Sequence, residues 1–360
     1  MVGLKVQVID GSLGEGGGQV LRTSVALSAL TLKPVRIINI RAKRSNPGLR
    51  PQHVVAIKSV AQLCDAKVKG LDVGSREVTF IPSRHRGGVF KFDIGTAGSI
   101  PLVLQSLLIV APALPEPCDI TIRGGTDVQW SPPIDYIRFV LLPILRSIGV
   151  DVDIQVIRRG HYPKGGGLVR IKTRPANILK PLSVIKRGSV LKIEGISHAV
   201  RLPSHVAERQ AYSALNLLKQ GLPGVEIKIE KEFYSPSRDP HLGPGSGIVL
   251  WAITSNKTRL GADALGARGK PAEKVGREAA EKLLEELSTN MAFDKHMGDM
   301  LIPYLAMAKG TSSIGVSKLT MHALTNIMIT EKLLNVKFDL TGEEGKPGVI
   351  RVKGIGGVFD

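Results

Sequence analysis

The chain has 360 residues, with 49 Lys+Arg against 31 Asp+Glu and a formal charge of +18. Hydrophobic residues make up 43% and charged residues 22%, which excludes wholesale disorder; this length suits about two domains of ~150 residues with a sizeable core. Two cysteines, Cys64 and Cys118, exclude a disulfide framework or a cysteine-based zinc site and are expected as buried thiols in a reducing cytosol.

The N-terminal MVGLKVQVID alternates as a strand does and lacks the long apolar core of a secretory signal. It leads through the turn GSLGEGGG into an apolar helical stretch, Gln19 to Leu32, and then a strand, Val35 to Ile40. The 40 glycines, about 11% against a usual ~7%, show no collagen period and belong in tight turns and ligand-hugging loops. Within GEGGGQVLR, Gly14 to Arg22, free backbone N–H groups at a helix start suit a phosphate. A carboxylate there, Glu15, sits beside phosphates only with a cation between them, which points to a Mg²⁺-type ion. Arg22 falls on the same helix and adds a fixed bidentate charge. A purely structural tight turn accounts for the same residues.

Next, RAKRSNPGLRPQH concentrates Arg41, Lys43, Arg44 and Arg50 in a Pro- and Gly-containing loop, a match for a polyanion. Only 4% of residues are aromatic, which disfavours a long stacking track and favours contact with one strand end. A scattered basic surface would carry the same net charge. A second copy of strand, turn, helix and strand starts at Asp93, passes IGTAGS into a helix at Pro101 to Val110, and ends in a strand at Asp119 to Arg123. The most apolar stretch, Ile100 to Leu114, is broken by Gln105 and Ser106 and is too short to span a bilayer, so a soluble, cytoplasmic protein is expected. RGHYPKGGGLV, Arg159 to Val169, opens into a strand; its three glycines suit either close approach by another chain or ligand, or a hairpin bulge.

From about Ile185 to Ser288 the pattern changes to two amphipathic helices and at least three strands, a small α/β domain. One helix runs from Ser204 to Gln220 and the other over PAEKVGREAAEKLLEEL. A third copy of the larger unit is read from Gly310–Ser313, through a helix at Leu319 to Leu334, to a strand at Val336 to Leu340. The expected divisions are therefore 1–184, an inserted 185–288, and 289–360. The eight histidines show no HxxxH or HxH pair with convincing supports, so their spacing argues only weakly for zinc, and no GxSxG or kinase motif occurs. The residues alone stop at a basic cytosolic α/β protein with phosphate-binding loops.

Seven segments together resemble RNA 3′-terminal phosphate cyclases, in the family's order and over nearly the whole chain. They are DGSLGEGGGQVLRTSVALSAL, RAKRSNPGLRPQH, IGTAGSIPLVLQSLL, RGGTDVQWSPPIDY, RGHYPKGGGLV, HMGDML and MHALTN. The resemblance implies an α/β fold of three βαβαββ-type units in a large domain, with a smaller α/β domain inserted before the last. It implies an enzyme that uses ATP with Mg²⁺ or Mn²⁺ to turn an RNA 3′-phosphate into a 2′,3′-cyclic phosphodiester through a histidine–AMP phosphoramidate. His322 then matches the nucleophile and Glu15 the metal-proximal carboxylate. Gln105 and the run His296, Met297, Gly298, Asp299 and Met300 match nucleotide contacts, and Pro132 or Pro133 with His296 flanks the adenine. Arg22, Arg41, Lys43, Arg44 and Gln52 are expected at phosphates of ATP or the RNA end. Where relatives commonly carry Gln, this chain has Met300, which removes two donors and an acceptor. Two rival readings are a non-catalytic ribosomal RNA-processing factor on the same scaffold, disfavoured by the retained His322, and a carboxyvinyl transferase of related repeat fold.

Overall fold

A computed structural model describes residues 6–176 and 178–357. The first five residues of the predicted N-terminal strand lie outside them. The first unit runs β1 (Gln7–Asp10), α1 (Gly18–Thr31), β2 (Val35–Ile38), α2 (Pro51–Leu63), β3 (Lys67–Lys69) and β4 (Val78–Ile81). Its sheet has the order β1-β2-β4-β3, with β1 and β2 parallel across the α1 crossover and the other pairs antiparallel. The second unit repeats this plan: β5 (Gly88–Asp93), α3 (Ile100–Val110), β6 (Cys118–Gly124), α4 (Ile134–Tyr136), α5 (Leu142–Ser147), β7 (Asp151–Arg158) and β8 (Gly167–Arg174), in the order β5-β6-β8-β7. A π-helical stretch, Ile137–Leu141, joins α4 to α5.

The third unit opens with β9 (Ser183–Val184) and is then interrupted. The interruption comprises β10 (Val190–Val200), α6 (His205–Gly221), β11 (Glu226–Phe233), β12 (Gly245–Thr254), β13 (Arg259–Leu265) and α7 (Ala272–Ser288), a sheet of order β11-β10-β12-β13. The unit resumes with α8 (Lys295–Met307), β14 (Thr311–Val316), α9 (Met321–Leu334), β15 (Phe338–Thr341) and β16 (Gly348–Lys353). Its sheet reads β15-β16-β14-β9, with β9 parallel to β14, the order of the other two sheets when traced from β9. This corrects the phase of the third copy. Gly310–Ser313 is not its opening turn, because Thr311 already starts the second strand, and the helix carrying His322 corresponds to α2 rather than to α1.

Two apolar cores form. The larger joins all three units through α1, α2, α3, α8 and α9, while the smaller lies between the inserted sheet and α6 and α7. Strand β12 serves both: Ile248, Leu250 and Ala252 face the small core, whereas Val249 and Trp251 face the large one. Burial on both faces explains why GIVLWAIT is a continuous apolar run rather than an alternating one. Trp251 stacks on Phe139 with ring centroids 4.7 Å apart, worth about 0.5–1.5 kcal/mol beyond its buried area. Cys64 and Cys118 are buried and free. No helix among the described residues is long and apolar enough to cross a membrane.

Helices α6 and α7 cross with almost no gap, since a Cβ added at Gly276 would stand 2.0 Å from the carbonyl oxygen of Gln210. Gly276→Ala is therefore expected to cost about 1–3 kcal/mol despite its better helix propensity. Urea melts check this, and an unchanged or raised midpoint would contradict the packing.

Candidate active site

The glycine-rich turn between β1 and α1 is shaped to dock on α9. Gly14 has φ +52°, and a Cβ there would sit 2.1 Å from Thr325 Oγ1, so both conformation and space require glycine. The Glu15 backbone N–H donates to the same hydroxyl at 3.3 Å. Gly17 occupies the N-cap of α1 without a side-chain cap, which leaves the first N–H groups of a largely buried 14-residue helix available to an anion.

His322 lies in the first turn of α9, which Thr320 caps by accepting from Ala323 N at 3.0 Å. Although the surrounding helix is apolar, His322 is exposed. Its Nε2 lies 2.6 Å from Glu15 Oε2, and Glu15 also pairs with Arg44. Partial burial lowers the His322 pKa from its ordinary value; Asp299 opposes this, and Arg22 and Arg44 reinforce it. The ring is accordingly held toward its neutral, nucleophilic form.

Asp299 stands behind His322. Its buried carboxylate accepts from the Thr320 hydroxyl, and its backbone carbonyl accepts from Asn326 Nδ2 at 2.9 Å. Burial pushes its pKa up to about 7 against the pull of Thr320 and His322. Asn326 Oδ1 in turn accepts from Thr23 Oγ1 at 2.7 Å, linking α9, α8 and α1. These helices and α3 enclose a cleft lined by Gln19, Arg22, Gln105, Met300, Tyr304 and Asn326, among others. Arg22 is the cation of this cleft. Its Nε is buried without a hydrogen-bond partner, and burial pulls its pKa down to about 10, which leaves it charged at neutral pH.

The run at the start of α8 divides. Met297 and Gly298 are buried, a Cβ at Gly298 meeting Val316 at 2.8 Å, so their side faces the core; Met300 lines the cleft. His296 is exposed, with its ring edge-on to Tyr136 at 6.2 Å; the surrounding protein and then Lys295 pull its pKa down to about 4. Tyr136 lies one turn beyond Pro133, the N-cap of α4, and its hydroxyl donates to Asp294 at 2.6 Å. Asp294 caps α8 by accepting from His296 N and Met297 N.

Of the basic loop, Lys43 Nζ donates to the Gly14 carbonyl at 2.9 Å and so lies across the glycine turn, beside the Arg44–Glu15 pair. Arg41, at φ +54°, donates one guanidinium nitrogen to the carbonyls of Asn46 and Gly48, bracing its own loop. Gln52 accepts from Ser99 N at 3.1 Å, tying α2 to the start of α3. Sequence reading missed His53. Its Nδ1 accepts from Arg50 N at 3.0 Å, and its Nε2 lies with Arg22 beside Gly18. Burial, then Arg22, Arg41 and Arg50, drop its pKa to about 3, so it is a neutral N–H donor there. Its place three residues after Arg50 at a helix start was the available signal.

RGHYPKGGGLV is the anchor of the inserted sheet. Buried Arg159 reaches Asp135 and Glu232 at 2.6 Å each and Asp127 at 3.4 Å. Glu232 lies on β11, so this network crosses between units; removing one partner of such a pair costs about 3–5 kcal/mol. The glycines permit close approach, but by this chain's own segments: Gly165 packs on the Thr96–Ala97 backbone and Gly166 on Leu242.

Residues 13–340 match the family model described as RNA 3′-terminal phosphate cyclase. A protein of that name from Hyperthermus butylicus is 58% identical over 97% of this chain and 98% of its own length. One from Staphylothermus marinus is 58% identical over 98% and 99% of the two chains. One from Ignicoccus hospitalis is 57% identical over 96% and 98%.

The raised Asp299 pKa sets the sign of a pH effect. Its contribution to stability is complete below its ordinary value of 3.8 and is lost as pH rises through about 7. Asp299→Asn keeps an acceptor for Thr320 but cannot ionise. Its stability relative to the native chain should rise by about 1–3 kcal/mol across that window. Thermal melts across the window check this; parallel curves would contradict it.

Proposed function

Because the chain belongs to the RNA 3′-terminal phosphate cyclase family, we propose that it uses ATP to convert an RNA 3′-phosphate to a 2′,3′-cyclic phosphodiester, with AMP carried on His322. The observation that carries this reading is the exposed imidazole at the start of α9, held by Glu15 and flanked by Arg22 and Arg44. An imidazole nitrogen attacks the α-phosphorus of ATP, a P–N bond forms, and the bond to pyrophosphate breaks. Glu15, 2.6 Å from Nε2, takes the proton that the ring sheds. An oxygen of the RNA 3′-phosphate then displaces the imidazole, which recovers its proton from Glu15, and the RNA gains an adenylate anhydride. The neighbouring 2′-hydroxyl attacks the 3′-phosphorus and gives up its proton to solvent, the bond to AMP breaks, AMP leaves, and the cyclic ester remains.

Charge distribution supports a polyphosphate beside His322. Arg22, Lys43, Arg44 and the free N–H groups at the start of α1 converge where a triphosphate meets His322. Gln105, Met300 and Asn326 line the adjoining cleft, and we read them as the side that faces the nucleotide, with Asp299 as the polar anchor behind it. His296, Pro132 and Pro133 stand as the candidate rim for the adenine. A Mg²⁺ or Mn²⁺ ion fits Glu15 only in the manner usual for these ions, one carboxylate with phosphates and waters. The other described carboxylate close behind His322, Asp299, is buried and bonded to Thr320. Bound there, such an ion would offset charge on the departing pyrophosphate. The net charge of +18 suits an RNA partner, and the buried free thiols suit a reducing cytoplasm.

Incubation with α-labelled ATP and Mg²⁺ is expected to give acid-labile label on the protein, transferable to RNA ending in a 3′-phosphate but not in a 3′-hydroxyl. His322→Ala should abolish labelling, and Glu15→Gln should slow it about 10²–10⁴-fold. Protein that stays unlabelled with either metal would overturn the covalent mechanism and favour the non-catalytic reading.

A further inference from the structure

Away from the cleft, the donor atoms of Asp127, His161 and His198 all lie within 4.8 Å of one another. Asp127 comes from the segment between β6 and α4, His161 from the β7–β8 connection and His198 from β10, so the inserted sheet meets the second unit here. The three side chains are 2%, 7% and 0% exposed. Asp127 Oδ2 is held by Thr126 at 2.6 Å and Arg159 at 3.4 Å, yet its Oδ1 has no partner. Neither do His161 Nε2 or both ring nitrogens of His198. Orphaned polar atoms are rare in a protein interior, and several converging at one point call for a common partner.

Further observations favour a cation as that partner. Charge is unbalanced: Arg159 and Arg138 face three carboxylates, those of Asp127, Asp135 and Glu232. Space has been kept clear for the rings: a Cβ at Gly245 would stand 2.0 Å from the His161 ring, and one at Gly247 would stand 3.1 Å from His198. His241, outside that 4.8 Å group, also has a buried Nε2 without a partner, and its Nδ1 is held by Asp239 at 2.7 Å, the carboxylate–histidine arrangement that orients metal ligands.

We propose that Asp127, His161 and His198 supply three of the four ligands of a structural site for a divalent transition metal, zinc, that clamps the inserted sheet onto the second unit, with a water in the fourth position. Two imidazoles and one carboxylate oxygen suit zinc rather than Mg²⁺ or Ca²⁺, which take oxygen cages. Zinc bonds of about 2.0–2.1 Å require the donors to close to about 3.4 Å apart, a contraction within reach of side-chain rotation. Sequence spacing hid the site, because its histidines share no short motif. The site is independent of the ATP-linked cation and of the chemistry at His322.

The test uses the full chain without a histidine tag, stripped with a chelator, dialysed against zinc chloride and then against buffer. Elemental analysis should find a single zinc ion retained per chain. Chelation should lower the thermal midpoint, which zinc but not Mg²⁺ restores. His198→Ala should lose the retained zinc, with affinity down at least about 100-fold, while exposed His205→Ala keeps it. Should the first variant fail to fold, anomalous diffraction at the zinc edge of the native protein locates the ion. A native protein that retains no zinc, equal retention by both variants, or an ion found elsewhere would each overturn the site.

Discussion

A buried asparagine holds the site together. The Asn326 amide on α9 accepts from Thr23 on α1 and donates to the Asp299 carbonyl on α8, so one planar group fixes the spacing of three helices. Those helices come from the first and third units, and their packing sets where Glu15, Arg22, Asp299 and His322 stand. An aliphatic residue at 326 would leave the Thr23 hydroxyl and the Asp299 carbonyl unpaired in the interior, at a cost of about 1–3 kcal/mol per group. The more serious effect would be on alignment, because the 2.6 Å contact between Glu15 and His322 joins residues more than 300 apart in the chain.

Electrostatics in the cleft are arranged around charge that the protein does not itself supply. Arg22 is buried with an unsatisfied Nε, and the start of α1 has no side-chain cap. Both are unfavourable in isolation and become favourable beside an anion. Glu15 is the counterweight. It neutralises Arg44 and fixes the His322 ring, so the proposed nucleophile is oriented before any phosphate arrives. A second polar knot around Arg159 secures the inserted sheet, which otherwise meets the large core through β12 and the Trp251–Phe139 stack.

Local features were legible in the sequence. The helix after the glycine turn, the strands before and after it, the two amphipathic helices of the insertion and the α/β class all follow from periodicity and turn residues. The seven family segments, rather than spacing, singled out His322, since an apolar helix gives no reason to expect its histidine at the surface. Long-range relations were not legible. The third unit was read out of phase because its first strand has only two residues, Ser183 and Val184, and is separated from its helix by the whole insertion. Likewise, nothing local announces that Arg159 will meet Glu232, that Asn326 will bridge two helices, or that Met297 will turn inward while Met300 lines the cleft. Each depends on tertiary partners distant in the chain.

The central claim is that one imidazole becomes covalently nucleotidylated before RNA is engaged. The most direct measurement is peptide mass spectrometry of protein treated with ATP and Mg²⁺ in the absence of RNA, under neutral conditions that preserve a P–N bond. The account predicts an AMP adduct confined to the peptide containing His322 and lost on brief exposure to acid. An adduct on a lysine or on another histidine, stable to acid, would contradict it.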